Sequence, residues 1–493
     1  MLIKRHFNLQ NKQYKLLLVL LFLGIIHALI AGINHYCFRT YTWDYGYYLQ
    51  ILYDFAHFKS SHITTFNWGN AHPFGDHFSP IMYLWAPFTY LFGSYTLVFI
   101  QIAAFSLGGL GIYKYAQQKG LSENMSLLLI VQLLFSFGII ASLSFNFYNN
   151  TVAAAIVPWL FLYFERRNIT NIVVCSILIA ITRENMALWL VFLMLGLGLS
   201  GIVYKKDNRQ WLTAAIALGA LLYAAIIILI VMPWLAEGRS IQLERYSELG
   251  TGIRDILYNL VHKPRYIFAL LFENPKAEVG LFGVKSEFYF MMLVSGGWLF
   301  FKRPLFLLMA MPIIAQKMFS SNPSMWGISM HYSVELMPLL SLALVDVAAS
   351  YTKNKQKWLI LAVTILTILA TISSLERRVS TDFNKTSCNF YIKKHYVNNV
   401  SREELLDAIN VIPKDAPISA THRFGGRLGL RDKLYAFPDI QDAEYAIILK
   451  DDFWPFSNEE GMAKAKAMVD SGEFRLLYQS GSKDVLVLQK ILR

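Results

Sequence analysis

Apolar residues in this chain come in long unbroken runs, unlike the alternation of half-buried strands or the single stripe of soluble helices. A segment crossing a bilayer must satisfy its own backbone hydrogen bonds, so it is helical and needs roughly 17–25 apolar residues. Runs near that length predict spans at 16–33, 96–113, 126–144, 151–164, 169–182, 185–203, 211–233, 287–301, 304–319, 332–350 and 358–374. The stretch 79–94 (SPIMYLWAPFTYLFGS) is apolar but interrupted by Pro87 and joined to the next run through Gly93-Ser94. It is expected to be a re-entrant or interfacial element and not a crossing.

Past residue 376 the pattern changes to that of a soluble domain. SREELLDAINVI (401–412) reads as an amphipathic helix with Ser401 as N-cap and Glu404 at N3, a capping box. APISA, KLYAF, EYAIILK, FRLLYQ and DVLVLQ read as short strands. The expected fold is therefore mainly α: a polytopic transmembrane helical bundle over 1–375, with about eleven spans plus the element at 79–94. A small α/β domain over 376–493 follows it.

Composition agrees. Of 493 residues, 55% are hydrophobic and only 16% charged, against about 25% charged in a soluble domain. The net charge of +12 would suit nucleic acid, but the cations fall in short bursts between apolar runs, as the positive-inside rule requires of cytoplasmic loops. With the N-terminus cytoplasmic and 79–94 not crossing, every burst falls inside: Lys114 and Lys119; Arg166 and Arg167; Lys205, Lys206 and Arg209; Lys302 and Arg303; Lys353, Lys355 and Lys357. That orientation puts 34–94, the Arg183-Glu184 corner, 234–286, 320–331 and the tail outside. Lys4, Arg5, Lys12 and Lys15 precede a run with no small-x-small site before Asn34-His35-Tyr36, which reads as an uncleaved signal anchor. Cys37, Cys175 and Cys388 are scattered without metal spacing.

Candidate chemistry gathers in the outer segments. In RTYTWDYGYYLQILYDFAHF (39–58), Tyr47, Tyr48, Ile51, Leu52 and Phe55 recur at helical spacing, as in a helix lying flat in the headgroup layer. Asp44 stands at its start, either as a simple helix cap or as a general base or metal ligand in a partly dry cleft. His72, Asp76 and His77 follow in a Gly/Pro-rich turn. Asp44 and His77 are the candidate ligands of a divalent cation, Mg2+ or Mn2+. Arg183-Glu184 interrupts two apolar runs, either as a mutual salt bridge or as a phosphate-binding Arg with an acidic partner. His331 and Glu335, four apart, are expected on one helix face. Arg239, Arg245, Arg254, Lys263 and Arg265 in the second large outer loop offer charge for an anionic headgroup or a pyrophosphate. There is no P-loop, GxSxG, HExxH or dinucleotide fingerprint.

WDYGYYLQ (43–50), HFSPIMYLWAPFTYLFGSYTLVFIQ (77–101), RENMALW (183–189), MHYSVELMPLL (330–340) and ISATHRFGGRLGLRDKLYAFP (418–438) together resemble the ordered landmarks of a bacterial and archaeal membrane protein family, domain of unknown function 2079. That family is considered similar to the GT-C class of integral membrane glycosyltransferases. The resemblance implies a prokaryotic inner-membrane location, a polyprenyl-phosphate sugar as donor, and an aspartate after the first span, which Asp44 matches. Glu184 is the implied second acidic residue, with Arg183 where a Lys is expected. Expected roles are then catalysis by Asp44 and Glu184, and substrate binding by Arg183, His72, His77, His331 and Arg245. Membrane lipid and an acceptor are the other partners. A lipid or solute transporter, or a non-catalytic envelope scaffold, are the alternatives. Transport is disfavoured because the polar groups gather at one face and no repeat is visible.

Overall fold

Helices dominate wherever the sequence is continuously apolar, because the backbone has no other way to satisfy its hydrogen bonds in hydrocarbon. The computed structural model of the chain describes residues 2–62, 64–66, 72–205, 209–237, 243–273 and 283–491. Residues 67–71, Lys206 and Arg239, named above, lie outside the described residues. In chain order the principal helices are α1 (Gln13–Tyr36), α2 (Tyr47–Ala56), α3 (Met82–Gln118), α4 (Glu123–Leu134), α5 (Phe137–Leu143), α6 (Asn150–Glu165), α7 (Ile169–Ala180), α8 (Glu184–Val203) and α9 (Gln210–Leu235). Then come α10 (Ile253–His262), α11 (Pro264–Leu270), α12 (Val284–Val294), α13 (Leu305–Met318), α14 (Leu336–Ala349) and α15 (Lys353–Glu376). The chain is a multi-pass membrane protein.

The eleven expected spans are not reproduced by length. Among the described residues five helices are long and apolar enough to cross (α1, α3, α8, α9 and α15), and α4 with α5 forms a sixth candidate bent by 50°. The expected spans at 151–164, 169–182, 304–319 and 332–350 are the shorter helices α6, α7, α13 and α14. Even α6, with 16 residues, rises only about 24 Å against a hydrocarbon core of about 30 Å. The run 287–301 ends as a helix at Val294 and continues as a 3-10 turn, Gly297–Phe301. Hydrophobicity counted these runs correctly as buried, but it does not separate burial in lipid from burial in protein.

Residues 79–94 are continuous with the helical run that follows them. They run into α3, whose 37 residues would measure about 55 Å as one rod, far beyond a bilayer. Gly93, at φ +52°, leaves helical geometry between the two parts, a conformation cheap only for glycine. The first part packs on α2: the Phe55 and Tyr83 rings stack at 3.9 Å, and the Tyr90 hydroxyl donates to the Ala56 carbonyl at 3.0 Å. The α2 stripe is a correction in turn. Tyr47, Tyr48, Ile51, Leu52 and Phe55 are all buried inside the protein and do not face lipid, a distinction that helical periodicity cannot make.

The bundle has two polar ends. At one, Lys119 lies 3.2 Å from Glu165 and 3.0 Å from Asp346, Arg166 reaches Gln118 at 3.1 Å, and Lys302 reaches Tyr351 at 2.8 Å. The other ends of the same helices (Asn150 on α6, Glu184 on α8 and the residues before α14) converge with the first loop around a cavity.

The tail folds as a five-stranded sheet flanked by α16 (Arg402–Asn410), α17 (His422–Leu428) and α18 (Asn458–Asp470). Its strands are β1 (Ile418–Ala420), β2 (Leu434–Ala436), β3 (Tyr445–Leu449), β4 (Phe474–Gln479) and β5 (Val485–Lys490), in the order β2-β1-β3-β5-β4. The β2-β1-β3 half is parallel, β5 pairs antiparallel with β3, and the edge strand β4 pairs antiparallel with β5. All five expected strands are present. The expected capping box at Ser401 is not: Ser401 makes no side-chain cap, and Glu404 instead accepts from the Ser482 amide at 3.0 Å and hydroxyl at 2.6 Å. The box forms at Ser457 and Glu460, ahead of α18.

Candidate active site

Asp44 sits in a tight turn, Thr42–Gly46, between α1 and α2. It does not cap α2. One carboxylate oxygen accepts from the Asn146 amide at 3.1 Å, and the other from the Tyr148 hydroxyl. Both donors come from the break between α5 and α6, where FNFYNNT puts polar residues between two apolar helices. Burial pushes the Asp44 carboxyl above the usual carboxylate range, and the two hydrogen bonds pull it part of the way back.

The cationic side of the site is built from two distant segments. The Arg183 guanidinium donates to Nε2 of His77 at 2.8 Å, and Nδ1 of His77 lies 3.2 Å from Glu184. Glu184 also lies 3.3 Å from Arg183 Nε and accepts from the Phe78 amide at 3.0 Å. The salt-bridge reading of this corner thus holds, and it ties α8 to the first loop. Glu184 is buried against His77 and is not among the residues lining the cavity.

His331 stacks on the Tyr148 ring at 3.5 Å with 17° between the planes, and its buried Nδ1 has no hydrogen-bond partner. Burial first, and then the fields of Arg183, His77, Lys317 and Arg245, hold its proton affinity well below the ordinary histidine range. It is therefore a neutral ring at physiological pH. The expected shared helix face with Glu335 is not formed, because α14 begins only at Leu336 and residues 331–335 are turns. Arg245 reaches the same cavity, and its carbonyl accepts from the Ser321 amide at 2.6 Å. His72 lies off the cavity: its Nδ1 accepts from the Phe74 amide at 3.1 Å, which makes it a cap of the 73–75 turn. Arg254, Lys263 and Arg265 are exposed on α10, α11 and the link between them, away from the cavity lining.

Asp44, Asp76, His77, Arg183, Arg245 and His331 thus share one cavity of about 670 Å3, a size ordinary for a small-molecule or cofactor site. Both Asp44 oxygens are engaged, and the His77 ring is held between Arg183 and Glu184. Among the described residues no group of three or more His, Cys, Asp or Glu is placed to hold a metal ion.

Sequence reasoning missed one whole wall. The tail domain docks on the first loop through α17, whose Gly425 and Gly426 lie against the 40–46 segment. A Cβ on Gly425 would sit 2.4 Å from Thr42 Cα, and one on Gly426 would sit 2.7 Å from the Thr40 carbonyl. The Thr42 hydroxyl donates to the His422 carbonyl at 3.1 Å, and Arg427 to the His35 carbonyl at 2.9 Å. This docking brings His422, Asp452 and Trp454 to the cavity beside Trp43. Burial pushes the Asp452 carboxyl up to about 7. Asn146 and Tyr148 were missed too. A cluster of asparagines between apolar helices was the available signal for them.

A family model described as "Predicted membrane protein (DUF2079)" matches residues 34–480. Among curated proteins none matches the chain. Solved structures similar to it include these two. One is the Archaeoglobus fulgidus oligosaccharyltransferase tethered with an acceptor peptide, at 13% identity, covering 96% of this chain and 74% of that one, with a TM-score of 0.42. The other is ArnT from Cupriavidus metallidurans bound to undecaprenyl phosphate, at 14% identity, covering 96% and 98%, with a TM-score of 0.46.

Proposed function

The chain belongs to the DUF2079 family of predicted membrane proteins, and we propose that it is an integral membrane glycosyltransferase. It moves a sugar from a polyprenyl-phosphate donor to an acceptor hydroxyl on the extracytoplasmic face. The observation that carries this reading is the pairing of a buried carboxyl with guanidinium groups in one cavity, Asp44 with Arg183 and Arg245, alongside the imidazoles of His77 and His331. The orientation rests on the basic bursts at the opposite end of the bundle.

The acceptor oxygen attacks the anomeric carbon and passes its proton to Asp44. The bond from that carbon to the phosphate oxygen breaks, and its electron pair leaves with the lipid phosphate. Arg183 and Arg245 face the negative charge that develops there, in a site dry enough for fixed donors to count. A proton affinity raised by burial suits Asp44 to the base role, since a base works best with its pKa near the operating pH. His77 and Glu184 hold the Arg183 fork in place.

The test is transfer from polyprenyl-phosphate hexoses by the full-length protein in nanodiscs. Asp44→Asn is expected to lower the rate by about 10²–10⁴-fold with unchanged size-exclusion elution and melting temperature. Wild-type activity in that variant refutes the assignment.

A further inference from the structure

The wall contributed by the tail domain holds groups that the transfer step does not use. Trp454 stands at the rim with 67% of its surface exposed. The Trp43 ring meets it edge-on at 4.8 Å and 70°, and Nε1 of Trp43 is a buried donor without a partner. Asp452 opens onto the same space, with one oxygen accepting from the Arg423 amide at 2.6 Å. His422 does not compete for a ligand through Nε2, which is engaged with the Trp454 carbonyl at 2.5 Å.

An exposed indole at the mouth of a polar cavity presents a flat apolar face with polar groups at its edge. A buried N–H left unpaired costs free energy until something accepts from it. A carboxyl beside it accepts hydroxyl hydrogens. One ligand class meets all three demands: a pyranose ring, whose C–H face lies on an aromatic plane and whose hydroxyls donate and accept around its rim. The cations that suit a phosphate, Arg183 and Arg245, line the same cavity.

We propose that Trp454, Trp43 and Asp452 form a glycan subsite on the tail-domain wall, which holds a sugar ring of the acceptor while Asp44 deprotonates its reacting hydroxyl. The assignment to the acceptor rests on the transferase reading above. The existence of a sugar-binding wall does not.

The experiment is saturation-transfer NMR on the full-length protein in nanodiscs, with maltose, lactose and chitobiose as probes and undecaprenyl phosphate binding measured in parallel. At least one disaccharide is expected to bind saturably to the wild type. Trp454→Ala and Asp452→Asn should each weaken binding about tenfold, a factor that corresponds to about 1.4 kcal/mol. Trp454→Phe should keep most of it, which separates loss of stacking from loss of fold. Saturation absent for all three probes, or unchanged in Trp454→Ala and Asp452→Asn, overturns the subsite. If sugar binds at Trp454 while undecaprenyl phosphate does not bind at all, the transferase reading fails and the subsite stands.

Discussion

Tyr148 donates its hydroxyl hydrogen to Asp44, 104 positions earlier in the chain, while the face of its ring stacks on His331. One residue therefore joins the candidate base to a neutral imidazole, across the break between α5 and α6. A hydrogen bond donated to a carboxylate favours its ionised form, so Tyr148 limits how far burial raises Asp44.

Tyr148→Phe keeps the stacking and deletes the donor. The Asp44 carboxyl then titrates higher. The acid limb of the pH–rate profile should move to higher pH by about one unit, the equivalent of about 1.4 kcal/mol. A profile of kcat/KM against pH checks this, and an unmoved acid limb separates Tyr148 from the base.

Arg183→Lys retains the charge but loses the fork that reaches His77 and Glu184 together. Turnover should fall by about 10²-fold or more, with weaker retention of undecaprenyl phosphate. Steady-state kinetics in nanodiscs measure the first effect, and lipid-phosphate binding the second.

Gly426→Ala should loosen the docking of α17 on the first loop, since its new Cβ would meet the Thr40 carbonyl at 2.7 Å. Overpacking of this kind costs about 1–3 kcal/mol. Limited proteolysis should release the tail domain faster than in the wild type while the bundle stays intact.

Asp452 gives the tail domain a pH dependence. Its carboxyl is raised from 3.8 to about 7 in the folded state by burial, so between those values the folded state binds more protons than the unfolded. Stability is then full below about pH 4 and declines as pH rises through 7, by on the order of 4 kcal/mol at most. Asp452→Asn should flatten that decline. Thermal melts of the full-length protein between pH 4 and 8 compare the two.

Much of this was legible beforehand. Long apolar runs gave helices, short alternating runs after residue 416 gave all five strands, and polar residues between apolar runs marked Asp44, His77, Arg183 and His331, which do share a cavity. What failed has a common cause. Hydrophobicity does not distinguish lipid from protein as the burying medium, so the apolar stripe of α2, which is buried inside the protein, reads in the sequence as one facing the membrane. The Asp452 and Trp454 wall was hidden for another reason: nothing local in the tail announces that α17 will dock on residues 40–46.

That docking joins Thr42 to the His422 carbonyl across 380 positions. At roughly 5–20 residues per second of synthesis, about 20–80 s pass between the making of the two partners. Throughout that interval the nascent chain carries its aspartate with one side open to water. The fold thus delays closure of the cavity until the tail domain has been made.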